Sequence, residues 1–408
     1  MAERTVFQPT SAKELQEVVA WAAAEEKPLE VGGRGTKRGL GRPVEASHVV
    51  TVEALAGISL YEPDELVMTA GVGTPLAEIE AELAERGQEL AFEPADYGAL
   101  LGDAPPGAQT IGGVFACNLA GPRRLKAGAA RDHLLGLRCV TGHGQLVKTG
   151  GRVVKNVTGY DLCKLLTGSY GTLAVMTEVT FKVMPRAEAS LTLLATGTDE
   201  AGLLALLRAA TGTPCEISGA AYLPPLAAGR SAVETLRRHA RATAAVRLEG
   251  FGRSIAYRRG ELERALAAPG IEFATLEGEE SQTLWREIRD VALLTPERAL
   301  WRLSVPPSAA GDLVGWTAEL TNERLFDWAG GLIWLAPKES WSGEAATIRG
   351  ALAGRGGHAT LVRGPARLRQ ELDVFEPQPP PLRALTERVK RSFDPKGVLN
   401  PGRMYPGI

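Results

Sequence analysis

Ser11 followed three residues later by Glu14 is a capping-box spacing, and Leu15, Val18, Val19 and Ala22 recur behind it at helical intervals, so the chain opens with an amphipathic helix. A short apolar run at 28–31 breaks into GGRGTKRGLG and resumes as a β-rich run at 48–52. That order predicts strand, glycine loop, strand. Residues 66–70 predict a further strand, after which Thr74 reads as an N-cap and Pro75 as the first residue of a helix carrying Leu76, Ile79 and Leu83, closed by Gly87. From Leu134 the pattern LLGLRCVTGHGQLVKTGG predicts two strands around a Gly-His-Gly turn, and 172–185 predicts a long strand or a tight strand pair.

Beyond Arg186 the texture changes. SLTLLATG, AAVRLEGF, ALWRLSV and GGLIWLA read as strands, separated by helical patterns such as EAGLLALLRAA and ESQTLWREIRDVALL. The proline-rich stretch EPQPPP then leads to a closing helix, LRALTERVKRSF, and a tail whose Val398, Leu399, Met404 and Tyr405 call for burial. The expected fold is α+β, with a first domain over 1–188, a second over 189–375 built on an antiparallel sheet, and a connector, helix and tail over 376–408 that return to the first domain.

Composition narrows the class. A chain of 408 residues with 44% hydrophobic and 23% charged residues can bury two or three domain cores and is not largely disordered. Its 46 basic against 48 acidic residues argue against a dominant nucleic-acid surface. Cys117, Cys139, Cys163 and Cys215 form no CxxC pair and have no histidine at metal spacing, so they read as reduced thiols and no metal site is expected. The N-terminus lacks a basic-then-apolar leader pattern and no apolar run is long enough to span a bilayer, which leads to the expectation of a cytoplasmic protein.

Candidate chemistry sits in three glycine-rich clusters. Gly32, Gly33, Gly35, Gly39 and Gly41, interleaved with Arg34, Thr36, Lys37 and Arg38, could present successive backbone N–H groups to a diphosphate; a plain surface turn is the competing reading. A P-loop fails because Thr36 separates Gly35 from Lys37, and a dinucleotide fingerprint fails because Arg38 stands where glycine is required. In the second cluster, PPGAQTIGGVFACNLAG, Thr110 is placed to cap a helix that starts on paired glycines, suited either to a flat ring or phosphate against backbone or to close helix packing. In the third, Asp161 caps a short helix and Gly168 and Gly171 make a turn before a strand.

The wording of LAGPRRLKAGAARDHLLG, VVKNVTGYDLCKLLTGSYGTLAVMTEVTFKVMPR and FDPKGVLNPGRM resembles the vanillyl-alcohol oxidase superfamily of flavoproteins, with its PCMH-type FAD-binding domain. Within it, the chain is similar to the FAD-binding subunits of bacterial glycolate oxidase complexes. The resemblance implies an FAD domain followed by an α+β cap domain, with Gly32, Gly33, Arg34, Gly35, Thr36 and Lys37 in the pyrophosphate loop. It implies Pro106, Gly107, Thr110, Gly112 and Gly113 along the flavin, with Cys117, Asn118 and Ala120 in the next turn, and Gly171, Thr172, Leu173 and Val175 at the adenosine half. Relatives that bond their flavin covalently do so through His or Cys in such loops; the pyrophosphate loop has neither, so dissociable FAD is expected. Implied partners are a larger FAD-containing subunit that oxidises glycolate, a 2-hydroxy acid, to glyoxylate, and an iron–sulfur subunit, which could place the chain at the inner membrane without a span of its own.

Oxidising a 2-hydroxy acid needs a base for the hydroxyl proton and a cation for the carboxylate. The five histidines, His48, His133, His143, His239 and His358, stand singly, and the His-rich metal motif of related D-2-hydroxy-acid dehydrogenases is missing. No catalytic residue is assigned. The reading is an FAD subunit that relays or supports electron flow; the rivals are a stand-alone flavin dehydrogenase or oxidase with a base such as Tyr222 or Tyr257, and a non-catalytic assembly subunit.

Overall fold

The computed structural model describes residues 4–102, 104–105, 107–153, 159–296, 298–338 and 343–408. The chain divides into two compact units, one of Met1–Ala120, Gly128–Arg186 and Ala366–Ile408, the other of Gly121–Ala127 and Ala187–Pro365.

In the first unit, strands Thr5–Phe7, His48–Thr51 and Leu29–Gly32 make a parallel sheet with His48–Thr51 in the middle. A five-stranded antiparallel sheet runs Ile58–Glu62, Val67–Gly71, Ala174–Lys182, Leu134–Thr141, Leu146–Gly150. The opening helix is Ala12–Ala24, capped by the Ser11 hydroxyl, which accepts from Glu14 N; it buries Leu15, Val19 and Ala22. The Glu14 carboxylate accepts from Thr10 N at 2.8 Å, one residue before the N-cap whose N–H a capping box uses. Thr74 is not the cap of the next helix, Leu76–Glu85, whose N-cap is Pro75. The Thr74 hydroxyl is spent on the turn before it, donating to Gly71 O at 2.7 Å and accepting from Gly57 N at 2.9 Å.

The second unit is an eight-stranded antiparallel sheet in the order Glu272–Glu277, Ala189–Thr196, Thr243–Gly250, Gly219–Leu223, Arg324–Asp327, Leu332–Leu335, Leu300–Ser304, His358–Arg363, with helices such as Glu200–Thr211 and Gly278–Arg289 packed on it. The central strands Gly219–Leu223, Arg324–Asp327 and Leu332–Leu335 are buried along their whole length, so they show no alternation of buried and exposed positions.

These groupings differ from the composition-based limits at two places. Residues 121–127 go with the second unit because Arg123 makes a bidentate pair with Glu249 at 2.7 and 2.9 Å, and Gly121 O accepts from Trp328 Nε1 at 3.1 Å. Residues 366–375 go with the first because Arg369 donates to Gly41 O at 2.9 Å and Arg42 donates to Gln370 O and Leu372 O. The tail adds to the parallel sheet's rim: Leu29 N donates to Val398 O at 2.8 Å and Asn400 N to Leu29 O at 3.0 Å. It is held by buried Lys390, which donates to Asp394 Oδ2 at 2.7 Å, Thr172 O at 2.7 Å and Leu399 O at 2.9 Å, while the Asp394 carboxylate also accepts from Val398 N and Leu399 N.

Removing one member of such a buried, saturated pair strands the other, so Lys390→Met should lower unfolding stability by about 3–5 kcal/mol in a urea titration of the protein. Burial alone would raise the Glu249 carboxyl, but Arg247 and Arg123 outweigh it and hold it at about 2. A carboxyl with a depressed folded pKa stabilises above its unfolded value, so melts should fall as pH drops from about 5 towards 2. Glu249→Gln should flatten that part of the profile.

Candidate functional site

The three glycine-rich clusters, far apart in sequence, converge on one cleft in the first unit. The first leaves the strand Leu29–Gly32 and lines the cleft from Gly32 to Arg38. The second enters at Thr110, whose hydroxyl caps the helix Ile111–Ala116 by accepting from Gly113 N. The third turns at Gly171, φ +69°, into the strand Ala174–Lys182.

The glycines serve two different needs. A Cβ on Gly112 would lie 2.7 Å from Val72 O and 2.6 Å from Val72 Cβ, so this residue is required for helix-against-strand packing as well as bordering the cleft. A Cβ on Gly33 would lie 3.0 Å from Thr110 Oγ1, which is how the first and second clusters come within touching distance. Gly113 instead faces Lys37, whose Nζ would be 3.3 Å from an added Cβ. Lys37 Nζ donates to Gln109 Oε1 at 3.0 Å and Thr36 Oγ1 at 3.3 Å, and burial lowers its pKa while Cys117 and Asp96 oppose the shift. Burial pushes the Cys117 thiol up, against the pull of Lys37 and Arg403, which keeps it a thiol at neutral pH.

Of the anticipated site residues, Gly32, Gly33, Arg34, Gly35, Thr36, Lys37, Thr110, Gly112, Gly113, Cys117, Gly171 and Val175 line this cleft. Gly107 does not; its N–H is tied to Asp96 Oδ2 at 2.6 Å. Asn118 is turned to cap the Arg131 N–H, Thr172 is buried with its hydroxyl on Ser169 O and its carbonyl on Lys390, and neither Leu173 nor Ala120 borders the cleft. Pro106 lies outside the described residues.

Among the lining residues that were not anticipated, two come from the tail. Asn400 accepts from Val31 N at 2.8 Å and donates to Tyr170 O at 2.8 Å, clamping the first cluster to the third. Arg403 donates to Lys37 O from inside the cleft wall. The NPGR wording of the tail was the available signal.

None of the five histidines lines the cleft. His133 is buried against the Phe92 ring at 5.0 Å, His48 packs with Trp21, and His143, His239 and His358 are exposed. The two rival bases also lie elsewhere, in the second unit: Tyr222 is fully buried, its pKa driven up by burial and then by Glu200, and Tyr257 is exposed beside Glu261, which raises its pKa. Among the described residues no group of three or more His, Cys, Asp or Glu is arranged to hold a metal, and no helix is long and apolar enough to cross a membrane.

Residues 4–150 match the family model of the FAD binding domain. The chain is 36% identical to glycolate oxidase subunit GlcE of Escherichia coli (strain K12) over 394 residues, 96% of each chain. It is 33% identical to glycolate oxidase subunit GlcD of Bacillus subtilis (strain 168) over 191 residues, 47% of this chain and 39% of that one. In fold it follows a 4-ethylphenol oxidase from Gulosibacter chungangensis with a TM-score of 0.70 at 14% identity, covering 98% of this chain and 89% of that one. The fold is thus the α+β arrangement of PCMH-type flavoproteins, and the cleft offers what FAD demands: close-approach backbone and buried cations. The chain belongs to the FAD-linked oxidoreductases, in the family of glycolate oxidase subunit GlcE, and FAD is its cofactor.

Proposed function

We propose that the cleft holds one FAD, with its diphosphate on Gly32–Lys37, its flavin against Thr110, Gly112, Gly113 and Cys117, and its adenosine half against Gly171 and Val175. The supporting observation is the convergence of three glycine-rich segments on one cleft that side chains leave open. Successive N–H groups after a strand suit a diphosphate, and a helix start with no side chain at two positions suits a flat ring. When bound, FAD supplies reversible electron uptake and release. The chain's own residues hold and orient it, and Lys37 and its neighbours offset its negative charge.

The chain acts as the FAD-binding subunit of a glycolate oxidase complex, supporting the oxidation of glycolate to glyoxylate. Similarity to GlcE over nearly the whole length of both chains supports this. A larger flavin subunit carries out the oxidation and an iron–sulfur subunit takes the electrons onward, in the cytoplasm or at the inner membrane through those partners. The division of labour is supported by the lining itself, which offers no histidine to take a hydroxyl proton and whose one carboxylate, Glu30, is already paired with Arg4 and Arg38.

Gly113→Asp would put a carboxylate against Lys37 and into the flavin's place. It should purify folded, by circular dichroism, with less than about a tenth of the wild-type flavin absorbance, given charged-group penalties of several kcal/mol; unchanged flavin content would contradict the assignment. Acid precipitation of the wild type should leave its flavin in the supernatant, because the pyrophosphate loop has no His or Cys to bond it. The purified chain alone should reduce an artificial dye with glycolate far more slowly than the complete complex, and equal rates would overturn the division of labour.

A further inference from the structure

Four cations line the cleft, and they differ in what they are already doing. Arg34 Nε pairs with Glu53 at 3.1 Å and Arg38 Nε with Glu30 at 3.1 Å, their side chains 37% and 60% exposed. Such pairs are already compensated and well screened, so they have little left to give a ligand. Lys37 and Arg403 are 8% and 7% exposed and bond only neutral groups: a glutamine, a threonine and a backbone carbonyl. The Arg403 Nε is fully buried and has no hydrogen-bond partner.

A buried guanidinium that lines the cleft with no carboxylate hydrogen-bonded to it is costly, and an anion held in the cleft offsets that cost through its charge. Its planar fork matches phosphate oxygens better than a point charge does. The fold also makes a specific allowance for this side chain. Gly41 sits at φ +82°, and a Cβ there would lie 3.0 Å from Arg403 O and 3.3 Å from Arg403 Nε, so only glycine lets the tail bring Arg403 against the first cluster.

We propose that Arg403 is a direct ligand of the FAD diphosphate, supplied by the C-terminal tail and acting with Lys37 as the buried counter-charge of that dianion, which Arg34 and Arg38 serve only from outside. This rests on the reading of the cleft as the FAD site. Loop backbone and tail thus complete one anion site from residues 366 apart in sequence. The tail is part of the cofactor site and not merely a strap over it.

The test compares wild type, Arg403→Gln and Arg403→Lys as full-length apo-protein, with binding of FAD, ADP and riboflavin followed by fluorescence and thermal shift. Arg403→Gln should weaken FAD by about 10–100-fold, the range for loss of a charge-assisted bond, abolish the thermal shift given by ADP, and leave riboflavin unchanged. Arg403→Lys should fall between. If the Gln variant does not fold, the Lys variant carries the test, with a loss confined to FAD and ADP expected. Equal FAD affinity in folded variants would overturn the proposal, as would an equal loss for riboflavin, which would move the contact to the ring. A wild type that binds ADP but not FAD or riboflavin would instead defeat the flavin reading and leave Arg403 as an anion ligand.

Discussion

Asn400 ties the strand that delivers the first glycine cluster to the turn that delivers the third, bonding Val31 N, Val31 O and Tyr170 O from a left-handed backbone position, φ +42°. A Cβ on Gly171 would sit 2.9 Å from its side-chain nitrogen, so the clamp and the glycine turn have to be matched to each other. With Gly168 N on Phe115 O and Tyr170 N on Ala116 O, which join the third cluster to the second, this clamp gives the backbone groups of 32–37 and 171–175 one shared frame. The clamp is itself braced by Lys390 and Asp394, which fix the carbonyls and N–H groups of 398–399 and hold Thr172 O.

The cleft therefore combines loose and rigid requirements in one place. Backbone is left bare at Gly33 and Gly113, where Thr110 Oγ1 and Lys37 Nζ stand close to the position of a Cβ, and yet it is held stiff. Stiffness comes from outside the glycines: Thr110 capping its helix, Gly112 locked on Val72, and the tail on the rim. Charge is handled the same way. Exposed Arg34 and Arg38 form ion pairs with Glu53 and Glu30, whereas the buried Lys37 and Arg403 feel Asp96 and Glu30 only at a distance and have no carboxylate hydrogen-bonded to them.

What could be read from the sequence was whatever is local. The Asp161 cap, the Gly-His-Gly hairpin and the glycine clusters all depend on neighbours a few residues away, and the structure has the Asp161 carboxylate accepting from Lys164 N at 3.0 Å and strands Leu134–Thr141 and Leu146–Gly150 around the turn. Thr74 misled because a threonine before a helix usually caps it, and only the fold shows its hydroxyl already claimed by Gly57 and Gly71. Asn118, Thr172 and Leu173 were expected from the resemblance alone, and none of the three lines the cleft: the Asn118 amide caps Arg131 N, and Thr172 and Leu173 are buried. Asn400 meets Val31 across 369 residues, a distance at which no periodicity or spacing survives. For such residues the resemblance carried by FDPKGVLNPGRM was the only trace, and it marked a segment without saying what the segment touches.

Amide hydrogen exchange of the full-length apo-protein, with and without saturating FAD, tests the shared frame most directly. The account requires added protection at 32–38, 110–117, 170–176 and 399–403 together, the last because the tail is part of the same site. Protection that skipped the tail, or that arose in the strands of the second unit with these four segments unchanged, would contradict it.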